Sequence, residues 1–217
     1  MSQLEYKKHL IYLLGTFAFL LFTIADTLIK LIGDLYKDTV IFSIASFAAI
    51  IPVLLYLIFR RSIEEVKTTN YKLHIIRGIL MTLTYYFIVK GIILLPLSIA
   101  YPIILSAPVL LSLLGIIILK EKVYMSKIIS LVLAMTAVFI VSGFSLNQGF
   151  NQMGVLFLIL GVISLACLDF TVRVYGKSER TIALTFYSML ISGIIFFLFS
   201  FNSYDQIQFK DLLFMIS

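Results

Sequence analysis

The sequence predicts an all-α protein that crosses a lipid bilayer about seven times, with the start of an eighth segment near its end. Two observations support this fold class. The 217 residues are 61% hydrophobic and 13% charged, with a mean hydropathy of +1.09, and a water-soluble domain of that composition would expose a continuous apolar surface. The apolar residues also form runs of about 20 residues, the length of a membrane-spanning helix.

The predicted spans follow one another through short connections. Their approximate bounds are 10–32, 39–59, 73–94, 97–119, 124–143, 153–175 and 181–201, and an eighth run begins within FKDLLFMIS. The loop around residues 144–150 is the nearest feature to a central linker. Since no hydrophilic domain interrupts the runs, we expect the lipid bilayer to be the main surrounding of the chain.

The basic residues predict the orientation of these spans. With the N-terminus in the cytoplasm, thirteen of the seventeen Lys and Arg residues lie on the cytoplasmic side, and Lys30, Lys37, Lys90 and Lys210 lie on the other. Cytoplasmic loops are enriched in Lys and Arg, so the net charge of +6 indicates loop charge and not nucleic-acid binding. The abundance of Ile, Lys, Phe and Tyr is typical of an AT-rich bacterial genome. We therefore expect a bacterial cytoplasmic membrane with the N-terminus inside.

A repeated pattern links the first and sixth runs. LLFTIADTLIKLIG (20–33) and ISLACLDFTVRVYG (163–176) both carry an Asp, a base four residues later and a Gly three further on, at an offset of 143 residues. Because five runs separate the two starts, the copies would cross the membrane in opposite directions. Inverted repeats are typical of secondary transporters, which bind substrate between the repeats near the midplane. We predict a five-helix repeat over 5–143 and an incomplete second repeat over 153–217.

Two acidic residues, Asp26 and Asp169, lie deep within runs, where an ionised carboxylate costs about 2.5–3.5 kcal/mol. Two interpretations are open. Asp26 could pair with Lys30, and Asp169 with Arg173, one helical turn apart, as structural ion pairs. Alternatively, the carboxylates face a polar cavity and hold a cationic substrate group or a coupling proton. Counting residues places Asp26 in the outer half of the membrane and Asp169 in the inner half, which suits a pair of gates.

The fourth run contains two prolines, Pro102 and Pro108. Neither can donate a hydrogen bond to the carbonyl four residues earlier, and lipid offers no replacement donor, so the freed carbonyls must face protein or a water-lined cavity. With Tyr101 beside them, the prolines could mark a cavity wall with a hinge. A static kink is the alternative interpretation for each proline.

The sequence lacks the patterns of an enzyme or a cofactor site. Its two histidines, His9 and His74, are predicted at the cytoplasmic interface, and neither metal-ligand spacing nor a phosphate-binding glycine loop is present. The single Cys167 has no partner for a disulfide within one chain. We expect no catalysis, no metal and no cofactor.

The segment 77–143 resembles the EamA domain of the drug/metabolite transporter superfamily. The resemblance rests on Arg77-Gly78 at the start of the third run, Leu95-Pro96-Leu97 before the fourth, Pro108 within it, Glu121 in the basic turn after it and Gly143 at the end of the fifth. It implies a ten-helix bundle of two inverted repeats that moves a small organic metabolite by alternating access. The central cavity would be lined by spans 1, 3 and 4 and their counterparts.

Within that family, IADTLIK and CLDFTVR resemble the S-adenosylmethionine uptake carriers of intracellular bacteria. Such a substrate carries a sulfonium and an ammonium, which carboxylates could hold. The resemblance implies that Asp26, Asp169 and Tyr101, with Lys30 and Arg173, contact substrate or proton, and that the two prolines form the hinge.

The family's last three helices have no counterpart in these 217 residues. Either the chain is a fragment, or another chain, as a second copy or a complementing subunit, supplies the missing wall. An inactive truncated transporter or a structural membrane protein is the alternative function. A seven-span receptor fits the span count, but its usual orientation is opposite.

Overall fold

The computed structural model describes residues 3–32, 35–121, 151–176 and 178–203, together with isolated positions between 125 and 140. These parts of the chain form seven α-helices, which we number in chain order. The helices are α1 (Gln3–Ile32), α2 (Asp38–Arg60), α3 (Tyr71–Leu94), α4 (Leu97–Ile104), α5 (Ala107–Leu119), α6 (Gln152–Tyr175) and α7 (Thr181–Ser200), with short 3-10 helices at Ile63–Val66 and Phe201–Ser203.

The predicted fold class is confirmed, because the described residues are helical and include six helical segments long and apolar enough to span a bilayer. All six coincide with predicted runs, and one of them, Leu97–Leu119, comprises α4 and α5 together. The predicted span at 124–143, the loop at 144–150 and the start of the eighth span lie outside the described residues.

The helix ends follow local sequence signals. The side chain of Asn70 accepts the Leu73 N–H at the start of α3, and that of Asn151 accepts the N–H groups of Met153 and Gly154 at the start of α6. Such caps satisfy N–H groups that have no partner within the helix. These caps fix where α3 and α6, the two helices at the centre of the packing, enter the bundle.

Helix α3 packs antiparallel against α6. The N-terminal part of α3 meets the C-terminal part of α6, where Arg77 donates to the Leu168 carbonyl at 3.0 Å, and the C-terminal part of α3 meets the start of α6. At Gly161 an added Cβ would lie only 2.7 Å from Ile88 Cγ1, so the missing side chain lets the helices approach closely. Two fully buried residues, Ile92 and Leu158 at 0% exposure, lie along this seam.

The remaining contacts define the directions of α1, α2 and α7. Phe42 near the start of α2 packs against Phe196 near the end of α7, with ring centroids 5.0 Å apart, so these two helices are antiparallel. The C-terminal part of α1 reaches the C-terminal end of α3 through Lys30, so α1 and α3 run the same way. Helices α1 and α6 therefore run in opposite directions, as an inverted repeat requires, although the repeat itself stays a prediction.

Large apolar side chains cover the outside of the bundle. Phe59 is 84% exposed, Leu198 68% and Phe199 76%. In water each would oppose folding, but a hydrocarbon surrounding removes that penalty. The surface agrees with an integral membrane protein.

Candidate substrate site

The first predicted carboxylate, Asp26 of α1, meets α4. The Tyr101 hydroxyl donates to Asp26 Oδ2 at 3.0 Å, and both side chains are partly buried. Thr23, one turn earlier on α1, also hydrogen-bonds Tyr101. Sequence reasoning placed Asp26 and Tyr101 in one site, and the structure brings them together; their role in binding stays a prediction.

Lys30 reaches beyond its own helix. Its ammonium donates to the Ile92 carbonyl at 3.0 Å and to the Leu95 carbonyl at the C-terminal end of α3. Such terminal carbonyls lack intrahelical partners and carry partial negative charge, so a lysine there caps the helix. The sequence suggested a pair with Asp26 within α1, whereas these contacts tie α1 to the corner between α3 and α4.

Tyr85 connects the Asp26 site to α7. It lies within electrostatic range of the Asp26 carboxylate, and its hydroxyl approaches Met189 Sδ of α7 at 3.9 Å. The groups around Asp26 thus come from α1, α3 and α4, with α7 behind Tyr85. One carboxylate between two tyrosines, near the junction of four helices, is a suitable site for a small organic cation, since aromatic rings and carboxylates both attract positive charge.

The two prolines divide the fourth span into α4 and α5. The break falls at Leu105 and Ser106, and Pro108 occupies the first turn of α5, where no N–H donor is needed. The Ser106 hydroxyl donates to the Ile103 carbonyl at 2.6 Å, which satisfies one backbone oxygen at the break. An apolar groove of about 270 Å³ lies between this break and Ile159 and Val162 of α6. The expected break is present, and its proposed hinge motion is untested.

The second predicted carboxylate, Asp169 of α6, interacts electrostatically with Arg77 of α3. Its helix neighbour Arg173 bonds Glu121 instead, with Nη2 2.7 Å from Oε2. The suggested Asp169–Arg173 pair is therefore replaced by two contacts to other elements, because α3 and the end of α5 bring their own charges close. Asp169 is exposed on the described bundle.

The two carboxylates lie at different depths. On α3, Tyr85 interacts with Asp26 and Arg77 interacts with Asp169. Arg77 and Tyr85 are eight residues apart, which corresponds to about 12 Å along the axis of α3. That the carboxylates occupy opposite halves of the membrane stays a prediction.

Sequence reasoning missed a second group of polar residues near the N-terminal end of α3. His74, Arg77 and Glu179 are buried together there; His74 is 2% exposed and Arg77 5%. From the sequence, His74 was predicted at the cytoplasmic interface and Arg77 was used only as part of the Arg77-Gly78 motif of the family resemblance. Arg77, inside an apolar run and followed by a glycine, was the available signal, whereas nothing in the sequence around Glu179 indicates burial.

The comparison with known families decides the kind of protein. Residues 9–143 match the model of the EamA-like transporter family. The chain belongs to this family. No curated protein and no solved structure matches it.

Membership in the EamA-like family identifies an integral membrane protein of the drug/metabolite transporter type. The matched segment contains most of α1 and all of α2 to α5, and so includes Asp26, Tyr101, Pro102 and Pro108. Helices α6 and α7, which complete the surroundings of Tyr85 and Arg77, lie beyond it. The family is one of transporters and not of enzymes, in agreement with the prediction from sequence.

Proposed function

We propose that this EamA-like protein is a secondary transporter that moves a small organic metabolite with a positively charged group by alternating access. The observation that supports this function is the hydrogen bond between Tyr101 and Asp26, 3.0 Å long, three residues before the break between α4 and α5. A carboxylate beside a broken helix can exchange its tyrosine partner for a ligand. Movement at the break would then alter the access to that ligand.

The charge of the site argues for the class of substrate. Asp26 supplies a negative charge, Tyr85 and Tyr101 supply aromatic rings, and the ammonium of Lys30 is directed to the carbonyls of α3. S-adenosylmethionine, with its sulfonium and ammonium, and cationic amino-acid-like solutes are the first candidates. Asp169 would serve the opposite half of the membrane as a second carboxylate.

The proposal includes the arrangement of the chain. The segments 5–143 and 153–217 would belong to two inverted repeats on either side of the site, in a bacterial cytoplasmic membrane. The opposite directions of α1 and α6 support this arrangement.

Uptake into proteoliposomes tests the function. We expect the reconstituted protein to accumulate labelled S-adenosylmethionine or a labelled cationic amino acid, with inhibition by excess unlabelled substrate. Asp26→Asn removes the negative charge and should reduce uptake by about tenfold or more, because each 1.4 kcal/mol of lost binding is a factor of ten. Tyr101→Phe, which removes only the hydroxyl, should have a smaller effect.

Two variants serve as matched controls. Tyr86→Phe removes a hydroxyl from a ring that packs edge-on against Phe87 and Phe157, and Glu64→Gln removes an exposed carboxylate. Both should transport like the unchanged protein. Absence of uptake by the unchanged protein for every cationic solute, or normal uptake by the Asp26→Asn variant, would refute the proposed function.

A further inference from the structure

Helix α5 packs on the bundle mainly through α6. Its start follows the break at Leu105 and Ser106, and the apolar groove of about 270 Å³ lies beside that start. Just after its end comes Glu121, whose Oε2 lies 2.7 Å from Nη2 of Arg173 in the last turn of α6. A helix with a broken backbone and space at one end, and a polar contact at the other, can move as one unit.

A glycine makes room for the contact between Glu121 and Arg173. An added Cβ at Gly115 would lie 2.9 Å from Arg173 Nη1 and 3.1 Å from Glu121 Oε2, so both charged groups lie directly against the backbone of α5. The side chains of Arg173 and Glu121 are 34% and 27% exposed. The guanidinium is therefore held by shape as well as by charge, yet it stays open enough to solvent to change its partner.

A second carboxylate lies within reach of Arg173. Asp169 precedes it by four residues on α6, which is one helical turn, and long side chains of a helix lie over the turn that precedes them. In this structure Asp169 interacts instead with Arg77 of α3, which is fixed by its hydrogen bonds to the Leu168 carbonyl and the Thr171 hydroxyl. A carboxylate has acceptor positions for two cations, so Asp169 can accept Arg173 without losing Arg77.

We propose that Arg173 is a latch with two positions. Paired with Glu121, it holds α5 against α6; turned back to Asp169, it releases α5, which then moves about the break before Pro108. Each position gives the guanidinium a carboxylate, so the exchange avoids leaving the charge of Arg173 without a partner. Interfaces that repack their salt bridges in this way have two discrete arrangements.

The exchange couples the position of α5 to the occupation of Asp169. A cationic group bound at Asp169 repels the guanidinium of Arg173 and leaves it with Glu121, so α5 stays against α6 while that carboxylate is occupied. When the cation leaves, Asp169 competes again for Arg173 and the release of α5 is favoured. This inference rests on the proposed transport function for the nature of that cation, but its test needs no solute.

The distance between two spin labels measures the position of α5. Ile117 on α5 and Ile75 on α3 have exposed side chains, so Ile117→Cys and Ile75→Cys can be labelled in a Cys167→Ala background and studied in lipid nanodiscs. Glu121→Gln removes the first partner of Arg173. We expect this variant to shift the distance by about 2 Å or more, the scale of helix movements at interfaces.

A double variant separates the latch from a general loss of stability. Glu121→Gln combined with Asp169→Asn leaves Arg173 without either carboxylate, so the released position loses its ion pair and the distance should return part of the way to its starting value. Two independent destabilising substitutions would instead add their effects. A double variant displaced as far as Glu121→Gln alone, or a Glu121→Gln variant with the starting distance, would overturn the proposal.

Exchanging the two charges provides a rescue. Glu121→Arg alone should shift the distance, whereas Glu121→Arg with Arg173→Glu restores an ion pair between the same elements and should keep the starting distance; this comparison decides the matter if Glu121→Gln does not insert into the membrane. Failure of the rescue, or a shift in the control Glu64→Gln, which removes an exposed carboxylate, would contradict the latch. Because no uptake is measured, a latch that responds while transport fails would refute the transport function alone.

Discussion

Lys30 of α1 caps the C-terminal end of α3. Its ammonium lies on the carbonyls of Ile92 and Leu95, which the following Pro96 cannot help to satisfy because proline has no N–H. In lipid, carbonyls without donors are costly. Lys30 therefore stabilises both the end of α3 and the position of α1, and through α1 that of Asp26.

Replacing this lysine tests its structural role. Lys30→Met keeps the length of the side chain but removes the donor, and we expect a loss of about 1–3 kcal/mol in the free energy of unfolding, measured by thermal or denaturant unfolding in detergent. Lys67→Met removes an exposed ion pair to Glu64 and should change the free energy of unfolding much less, because solvent screens such pairs. Equal losses in the two variants would contradict the capping role.

At the scale of residues, the sequence could predict some partners and not others. Asp26 and Tyr101 were selected because a carboxylate and a hydroxyl beside a proline are unusual in lipid, and they are 3.0 Å apart. For Lys30 and Arg173 the sequence could suggest only partners one turn away in the same helix. Residue spacing gives the neighbours within one helix and not those on other helices. Their observed partners, the α3 carbonyls and Glu121, come from other elements.

The break between α4 and α5 is the element most suited to movement. Pro108 lies in the first turn of α5 and cannot donate to the preceding turn, and the groove of about 270 Å³ leaves space beside the break. Pro52, by contrast, lies within the uninterrupted helix α2. Pro102 likewise lies within α4, so a proline alone does not break a span here; the break lies at Leu105 and Ser106, directly before the turn that holds Pro108.

Removing the proline at the break tests the hinge. Pro108→Ala restores an N–H that can bond the Ile104 carbonyl, and a proline within a helix costs about 3 kcal/mol, so the straight form should become favoured. Even about 1.4 kcal/mol changes the ratio of two states tenfold, so we expect a clear loss of uptake with unchanged or raised thermal stability. Pro52→Ala is the matched control and should retain uptake. Normal uptake by Pro108→Ala would indicate a static kink.

At the scale of the whole molecule, hydropathy could predict the spans but not how they pack. The six described spans follow the apolar runs, because length and composition alone decide whether a helix crosses lipid. The central place of α3, between α6 and α7, depends on small residues such as Gly78 and Gly161 that allow close approach. Small residues occur in many of the runs, so their presence does not identify the neighbour.

The direction in which α1 and α6 cross the membrane connects the fold to the proposed function. The antiparallel packing of α3 and α6, with α1 parallel to α3, places the two helices that carry Asp26 and Asp169 in opposite senses. The bundle alone does not define which end faces the cytoplasm. The distribution of basic residues predicts that the N-terminus is cytoplasmic, because thirteen of seventeen are assigned to its side.

Labelling of single cysteines tests that orientation. In a Cys167→Ala background, Ser62→Cys and Ser178→Cys lie at the predicted cytoplasmic end, and Tyr36→Cys lies at the other. A membrane-impermeant maleimide added to intact cells should label only Tyr36→Cys, because the other two are shielded until the membrane is opened. Labelling of Ser62→Cys and Ser178→Cys alone would reverse the orientation. Labelling of Ser62→Cys without Ser178→Cys would place the two loops on opposite sides and contradict the antiparallel packing of α2 against α7.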